Sequence, residues 1–194
     1  FTATAGPVAF AGTATVSGTV NFPTATMAGG VNFGSASNIV TSLQLNAGAF
    51  VSTNAPTYLT GSTLIYNTTG TYGRYLEWSA TSGAGYPYHV QVQNGTTVNL
   101  AANGFADRAI AGNLNLGLDS AASEGSLSMG ATTNKLSIGG NLVIGGNTSG
   151  SSVLTLSSAI GGDIYVSGNW DTKTNGSYAS NTKAVFFEGT GTST

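Results

Sequence analysis

A three-residue unit, apolar–polar–apolar and bounded by Gly, Asn or Ser, recurs along much of this chain. It is read in Leu43-Gln44-Leu45, Val90-Gln91-Val92, Val98-Asn99-Leu100, Leu114-Asn115-Leu116 and Leu127-Ser128-Met129. It continues in Leu136-Ser137-Ile138, Leu142-Val143-Ile144, Leu154-Thr155-Leu156 and Ile164-Tyr165-Val166. Alternation with period two sends the two flanking side chains to one face of a sheet and the middle one to the other. Sustained 3.6-residue apolar spacing is absent, so helices are not expected. The Val, Ile, Thr, Tyr and Phe content makes the chain able to order as an all-β protein.

A longer repeat lies over the short one. AGNLNL (111–116), GGNLVI (139–144) and GGDIYV (161–166) align, placing Asn113, Asn141 and Asp163 in one column at spacings of 28 and 22 residues. Periods of this size predict a parallel β-helix or solenoid, each coil built of two or three short strands and tight turns. Asn113, Asn141 and Asp163 then form a structural turn ladder, bonding from coil to coil. Leu114, Leu116, Leu136, Ile138, Leu142, Ile144, Leu154, Leu156, Ile164 and Val166 all point inward. The alternative is an antiparallel β-sandwich, in which Asn94-Gly95, Asn103-Gly104 and Asn175-Gly176 make hairpin turns. Three-residue strands are short for a sandwich, so the solenoid is preferred. The lighter first 55 residues read as coils of smaller side chains, and residues 1–194 as one solenoid segment.

Only 6% of the residues are charged and the net charge is −2. The five basic residues are scattered, which gives no field for nucleic acid. No cysteine is present, excluding disulfides and thiolate metal sites. No apolar run approaches the ~20 residues of a membrane-spanning helix, so membrane insertion is not expected. No signal peptide is visible. Both termini, FTATAG and GTGTST, read as strand-like text, and the chain is expected to be an excerpt of a longer polypeptide. Such an excerpt would leave unpaired coil ends that associate or fray.

The text PTYLTGSTLIYNTTGTYGRYLEWSATSGAGYPYHVQVQNGTTVNL (56–100) resembles a segment of large β-strand-repeat surface proteins of Bacteroidetes, exported by the type IX secretion system. The tail GGDIYVSGNWDTKTNGSYASNTKAVFFEGTGT (161–192) is similar to recurring text of the same proteins. The resemblance implies an extracellular or cell-surface, adhesin-like β-helical segment. Its partners would be the rest of its own longer chain and, during export, the type IX machinery. It implies no defined chemistry and no cofactor.

Catalysis is not expected. The acids Glu77, Asp107, Asp119, Glu124, Asp163, Asp171 and Glu188 are mostly far apart in sequence, and no Asp-x-Asp element suggests a metal or a carboxylate pair. The single His89 adjoins a predicted strand and reads as structural. The densest constellation, Tyr72, Arg74, Tyr75, Glu77, Trp78, Tyr86, Tyr88 and His89, lies in an aromatic-rich excursion over 66–89. Exposed, the first seven could stack on and hydrogen-bond a carbohydrate. The preferred reading is packing, with the aromatics folded over a coil edge and Arg74 paired with Glu77. Thr-rich stretches do not keep the register that an ice-binding array needs. Four Asn-x-Ser/Thr sequons, at Asn67, Asn94, Asn147 and Asn175, are expected by chance in such a composition. Asp119-Ser120-Ala121 matches a short O-glycosylation pattern of Bacteroidetes, making Ser120 a candidate acceptor.

Overall fold

The computed structural model describes residues 6–104, 107–118, 124–146 and 150–189. The chain is an all-β solenoid of parallel sheets. Its first coils hold β1 (Val8–Phe10), β2 (Ala14–Thr15), β3 (Val20–Met27), β4 (Gly30–Asn32), β5 (Ser37–Asn46) and β6 (Phe50–Val51). Next come β7 (Thr57–Tyr58), β8 (Thr63–Asn67), β9 (Gly70–Gly73) and a short 3-10 turn, Leu76–Trp78. The later coils have three strands each. They are β10 (His89–Val92), β11 (Thr96–Asn99) and β12 (Arg108–Ile110), then β13 (Leu114–Leu116), β14 (Gly125–Ser128) and β15 (Leu136–Ile138). Then follow β16 (Leu142–Ile144), β17 (Ser152–Thr155) and β18 (Ile164–Val166), and finally β19 (Trp170–Thr172), β20 (Gly176–Ala179) and β21 (Val185–Phe187).

One nine-stranded sheet runs the length of the molecule in the order β1-β3-β5-β8-β10-β13-β16-β19, with β7 beside β5. A second face is split into β2-β4-β6 and β9-β11-β14-β17-β20, and a third carries β12-β15-β18-β21. The long strands β3 and β5 each turn a corner. Asn38 and Ile39 of β5 pair with β7, whereas Ser42–Asn46 pair with β8. In β3 the register shifts between Phe22 and Thr24, at Pro23, whose missing N–H suits an irregularity.

The core follows from the three-residue units. Strands β13, β15, β16 and β18 each bury their outer two residues and leave the middle one half-exposed. Register stacks like on like: Leu114 on Leu142, Leu116 on Ile144, Leu136 on Ile164, Ile138 on Val166. All ten residues expected to point inward are at most 1% exposed. Each such aliphatic side chain contributes roughly 1.5–3 kcal/mol by leaving water. In the first coils the interior is filled by Phe10, Phe22 and Phe33, packed edge to face with centroids 5.7–6.1 Å apart.

Asn94 and Gly95 both adopt left-handed backbone, with φ of 57° and 67°, the conformation a hairpin turn needs. Here the pair turns the corner from β10 to β11, which lie on different faces of the coil. Among the described residues the strand pairings are parallel, apart from one isolated antiparallel bridge between Thr57 and Ala84. The same residues contain no helix long and apolar enough to cross a membrane.

Candidate functional site

Two features concentrate the polar chemistry: the excursion after β9, and a ladder at the corner leading into the long sheet. The excursion starts where the second face is broken. Among the described residues, strand β6 has β4 on one side and no strand on the other. The Val51 N–H, on the side of β6 away from β4, is buried, and an orphaned buried donor costs about 1–3 kcal/mol. The 3-10 turn lies against β6, and the Glu77 carboxylate accepts the Val51 N–H at 3.5 Å. Its other oxygen accepts the Tyr75 N–H at 2.8 Å and the hydroxyls of Tyr66 and Tyr72 at 3.3 and 3.2 Å. Tyr58 donates to the Glu77 backbone carbonyl at 3.0 Å. Glu77 thus closes an internal sheet edge with a side chain where a strand would otherwise continue.

Burial pushes the Glu77 carboxyl above its ordinary value, against the pull of its donors. Burial, with Glu77 beside them, also raises the Tyr58, Tyr66 and Tyr72 phenols. Arg74 is likewise enclosed. Its Nε donates to the Leu100 carbonyl at 3.3 Å, its guanidinium to the Trp78 carbonyl, and its own carbonyl accepts Asn103 Nδ2 at 2.6 Å. Arg108 donates to the same Leu100 carbonyl and to Thr132 Oγ1 at 3.4 Å. Burial and the neighbouring Arg108 lower the Arg74 pKa to about 10, while Glu77 acts in the opposite direction. Arg74 therefore stays cationic at neutral pH. Arg74 and Glu77 share the excursion, and the hydrogen bonds described for each go to other groups.

Trp78 is fully buried and its Nε1 donates to the Ala109 carbonyl at 2.9 Å. Of the seven residues considered as a carbohydrate platform, Arg74, Glu77 and Trp78 are 0% exposed and Tyr72 only 9%. Their faces are closed to a sugar ring. Tyr75 is 39% exposed and lies 5.2 Å from Phe50, while Tyr86 and Tyr88 are half-buried. A buried carboxyl with a raised pKa at an open cleft would be a general-acid candidate. Glu77 has no exposed surface through which a substrate could reach it. Among the described residues no group of three His, Asp or Glu side chains could hold a metal ion.

The corner ladder corrects one sequence expectation. Asn113 Oδ1 accepts the Asn141 N–H, and Asn141 Oδ1 accepts the Asn169 N–H, both at 2.8 Å. Asp163 is not in this column. It precedes β18 on the third face, and its Oδ1 accepts the Ala184 N–H at 2.9 Å. GGDIYV resembles GGNLVI because both corners need glycine and a short side-chain acceptor, but pairing of β18 with β15 fixes its place. The third rung is Asn169 of SGNWDT, spaced 28 residues from Asn141 as Asn141 is from Asn113. The glycine before each Asn is required by the ladder. A Cβ on Gly140 would lie 2.3 Å from Asn113 Oδ1, and one on Gly168 2.4 Å from Asn141 Oδ1.

Ahead of these three Asn rungs stands His89, one position before the Val90–Leu114 pair of β10 and β13 as Asn113 is in the next coil. Its Nδ1 accepts the Asn113 N–H at 2.8 Å. Arg108, Tyr58, Tyr66 and Asn169 were missed by the sequence reading. Asn169 had a signal in its Gly-Asn dipeptide, whereas the others meet Arg74 and Glu77 only through coil stacking. Ser120 lies outside the described residues, as does Asn147. No family model, no curated protein and no solved structure matches this chain.

Proposed function

We propose that this chain is a structural segment, a stalk or shaft, of a long secreted or cell-surface adhesin-like protein. Its mechanism is mechanical. The observation that carries the reading is the unbroken sheet from β1 to β19 over an aliphatic and aromatic interior. Backbone hydrogen bonds between coils run along the axis, and seven steps of about 4.8 Å make a rod of roughly 34 Å. Such a rod holds the parts of a polypeptide on either side of it at a fixed separation. The resemblance of 56–100 and 161–192 supports export by the type IX system of Bacteroidetes, with the remainder of the longer chain as the partner. Ser120 is proposed to carry an O-linked glycan, which peptide mass spectrometry of material from the producing cells would detect.

The burial of Arg74, Glu77, Trp78 and Tyr72 favours the shaft over a carbohydrate-binding surface. A glycan array with the folded chain tests this, together with protease shaving of intact producing cells. A shaft retains no glycan, and shaving releases its peptides. Glycan retention lost on Tyr75→Ala at unchanged stability would replace the shaft by a carbohydrate-binding reading. Peptides released only after lysis would remove the surface location.

A further inference from the structure

We propose that His89 is a pH-sensitive rung of the corner ladder, whose protonation frees the Asn113 N–H and loosens the joint between the excursion and the coils after it. The following two rungs use amide oxygens of Asn113 and Asn141 as acceptors, and these do not titrate. At the His89 rung the acceptor is a ring nitrogen. A neutral imidazole with its proton on Nε2 can accept at Nδ1, whereas an imidazolium has two N–H groups and no lone pair to offer. Protonation therefore sets two N–H groups against each other at 2.8 Å.

The half-buried ring lies close against the next coil. A Cβ on Gly112 would lie 2.5 Å from His89 Nδ1, so only glycine lets the backbone pass so close. The Tyr88 ring meets the imidazole edge-on at 4.6 Å. Around His89 are Ser62, which accepts its backbone N–H, and Thr63 from the coil before, with Gly112 and Asn113 from the coil after. None of these is charged, the Tyr88 phenol is the titratable group described against the ring, and Arg108 of β12 turns its side chain to the core. Among the described residues no carboxylate acts on the ring to favour the cation, and burial lowers its pKa from the ordinary value near 6.5. With the folded value below the unfolded one, the unfolded chain binds more protons as pH falls. The rung's contribution is present above about pH 6.5 and is lost as pH falls through the folded value.

The rung sits where the excursion rejoins the coils. The Pro87 and Tyr88 carbonyls accept the Ala111 and Gly112 N–H groups at 3.1 and 2.6 Å, and His89 takes the third consecutive donor. Freeing Asn113 removes the last of these three attachments.

The experiment is amide exchange by NMR between about pH 5 and pH 8, with Asn141 and Asn169 as internal controls for the intrinsic pH dependence. His89 is the sole histidine, so its ring resonances report its own titration without ambiguity. The expected result is a ring that titrates below 6.5, with Asn113 losing about tenfold in protection relative to Asn141 as it does so. His89→Asn, which places in this rung the residue used by the next ones, should abolish the differential change. A ring titrating at or above its ordinary value, or Asn113 protection tracking Asn141 throughout, overturns the proposal. Both wild-type readouts decide it even where the variant fails to fold. A folded His89→Asn that keeps the differential pH response also overturns it.

Discussion

Glu77 is the residue whose chemistry is least like its surroundings, and its contribution depends on what it satisfies. Glu77→Ala leaves the Val51 and Tyr75 N–H groups and two tyrosine hydroxyls without their acceptor. The expected cost is roughly 2–4 kcal/mol by urea unfolding. Glu77→Gln isolates the charge. Because the folded carboxyl has a raised pKa, the native state binds more protons than the unfolded one between the two values. Its stabilising contribution is fully present below the unfolded pKa and is lost as pH rises through the folded one. Wild type should therefore lose stability relative to Glu77→Gln as pH rises from acid toward neutral, opposite in sign to the His89 effect. A constant difference across that range would mean that the folded carboxyl keeps the pKa it has in the unfolded chain. The glycines of the ladder can be tested in the same way. Gly140→Ala sets a methyl 2.3 Å from Asn113 Oδ1 and 2.8 Å from the Gly112 carbonyl carbon, and should cost roughly 1–3 kcal/mol. Gly12, whose Cβ would meet nothing within 4 Å, provides the control and should tolerate alanine within about 0.5 kcal/mol.

At the level of the elements, what could be read in advance was the strand triplet, because its information is local. Leu142-Val143-Ile144 alternates burial whatever its neighbours are, and Leu142 and Ile144 are fully enclosed. Leu142→Asp should accordingly cost about 3–5 kcal/mol, an uncompensated charge in an aliphatic stack, and thermal unfolding would register it. Which face a strand joins was not local. GGDIYV and SGNWDT offer similar turn chemistry, and the choice between Asp163 and Asn169 as the third rung is made by pairing 28 residues away. Asn94-Gly95 is ambiguous for the same reason, since its left-handed backbone suits a hairpin and a coil corner equally. The excursion was legible as a dense aromatic block but not as a wedge. Nothing near Arg74 in sequence announces Arg108, or the Leu100 carbonyl that both arginines share. Trp78 tests the wedge: Trp78→Ala removes a fully buried indole and its bond to Ala109, and should cost about 3–5 kcal/mol. A near-neutral result would mean that the broken second face does not depend on the excursion.

Across the whole molecule, the first and last described coils each border a hollow, of about 350 Å³ beside Val8, Phe10 and Phe22 at one side, and they differ in the residues placed there. At the β1 side, Pro7 immediately precedes Val8 and so stands one register position before it, in the column that passes through Thr24, Ser42, Thr63, His89 and Asn113. Having no N–H, it presents no donor where the later rungs present one, a device that blunts an edge. Behind it Phe22 and Phe33 are 1% and 0% exposed. At the other side, among the described residues, β19, β20 and β21 are each bonded to one neighbour, and the side chains that continue the inward columns are half-buried or exposed. Tyr178 continues the Leu154 column at 53% exposure and Phe187 the Val166 column at 64%. With Trp170 and Val185 they line a hollow of about 320 Å³. The 194 residues expressed as a polypeptide should therefore exchange amide hydrogens fastest in β19–β21 and more slowly in β3–β5. Any concentration-dependent association should pass through the Tyr178–Phe187 hollow and weaken in Phe187→Ser. Hydrogen exchange by mass spectrometry with sedimentation at several concentrations measures both. Uniform protection along the axis, or association unaffected by Phe187→Ser, would mean that the aromatic hollow is not the less stable end of the rod.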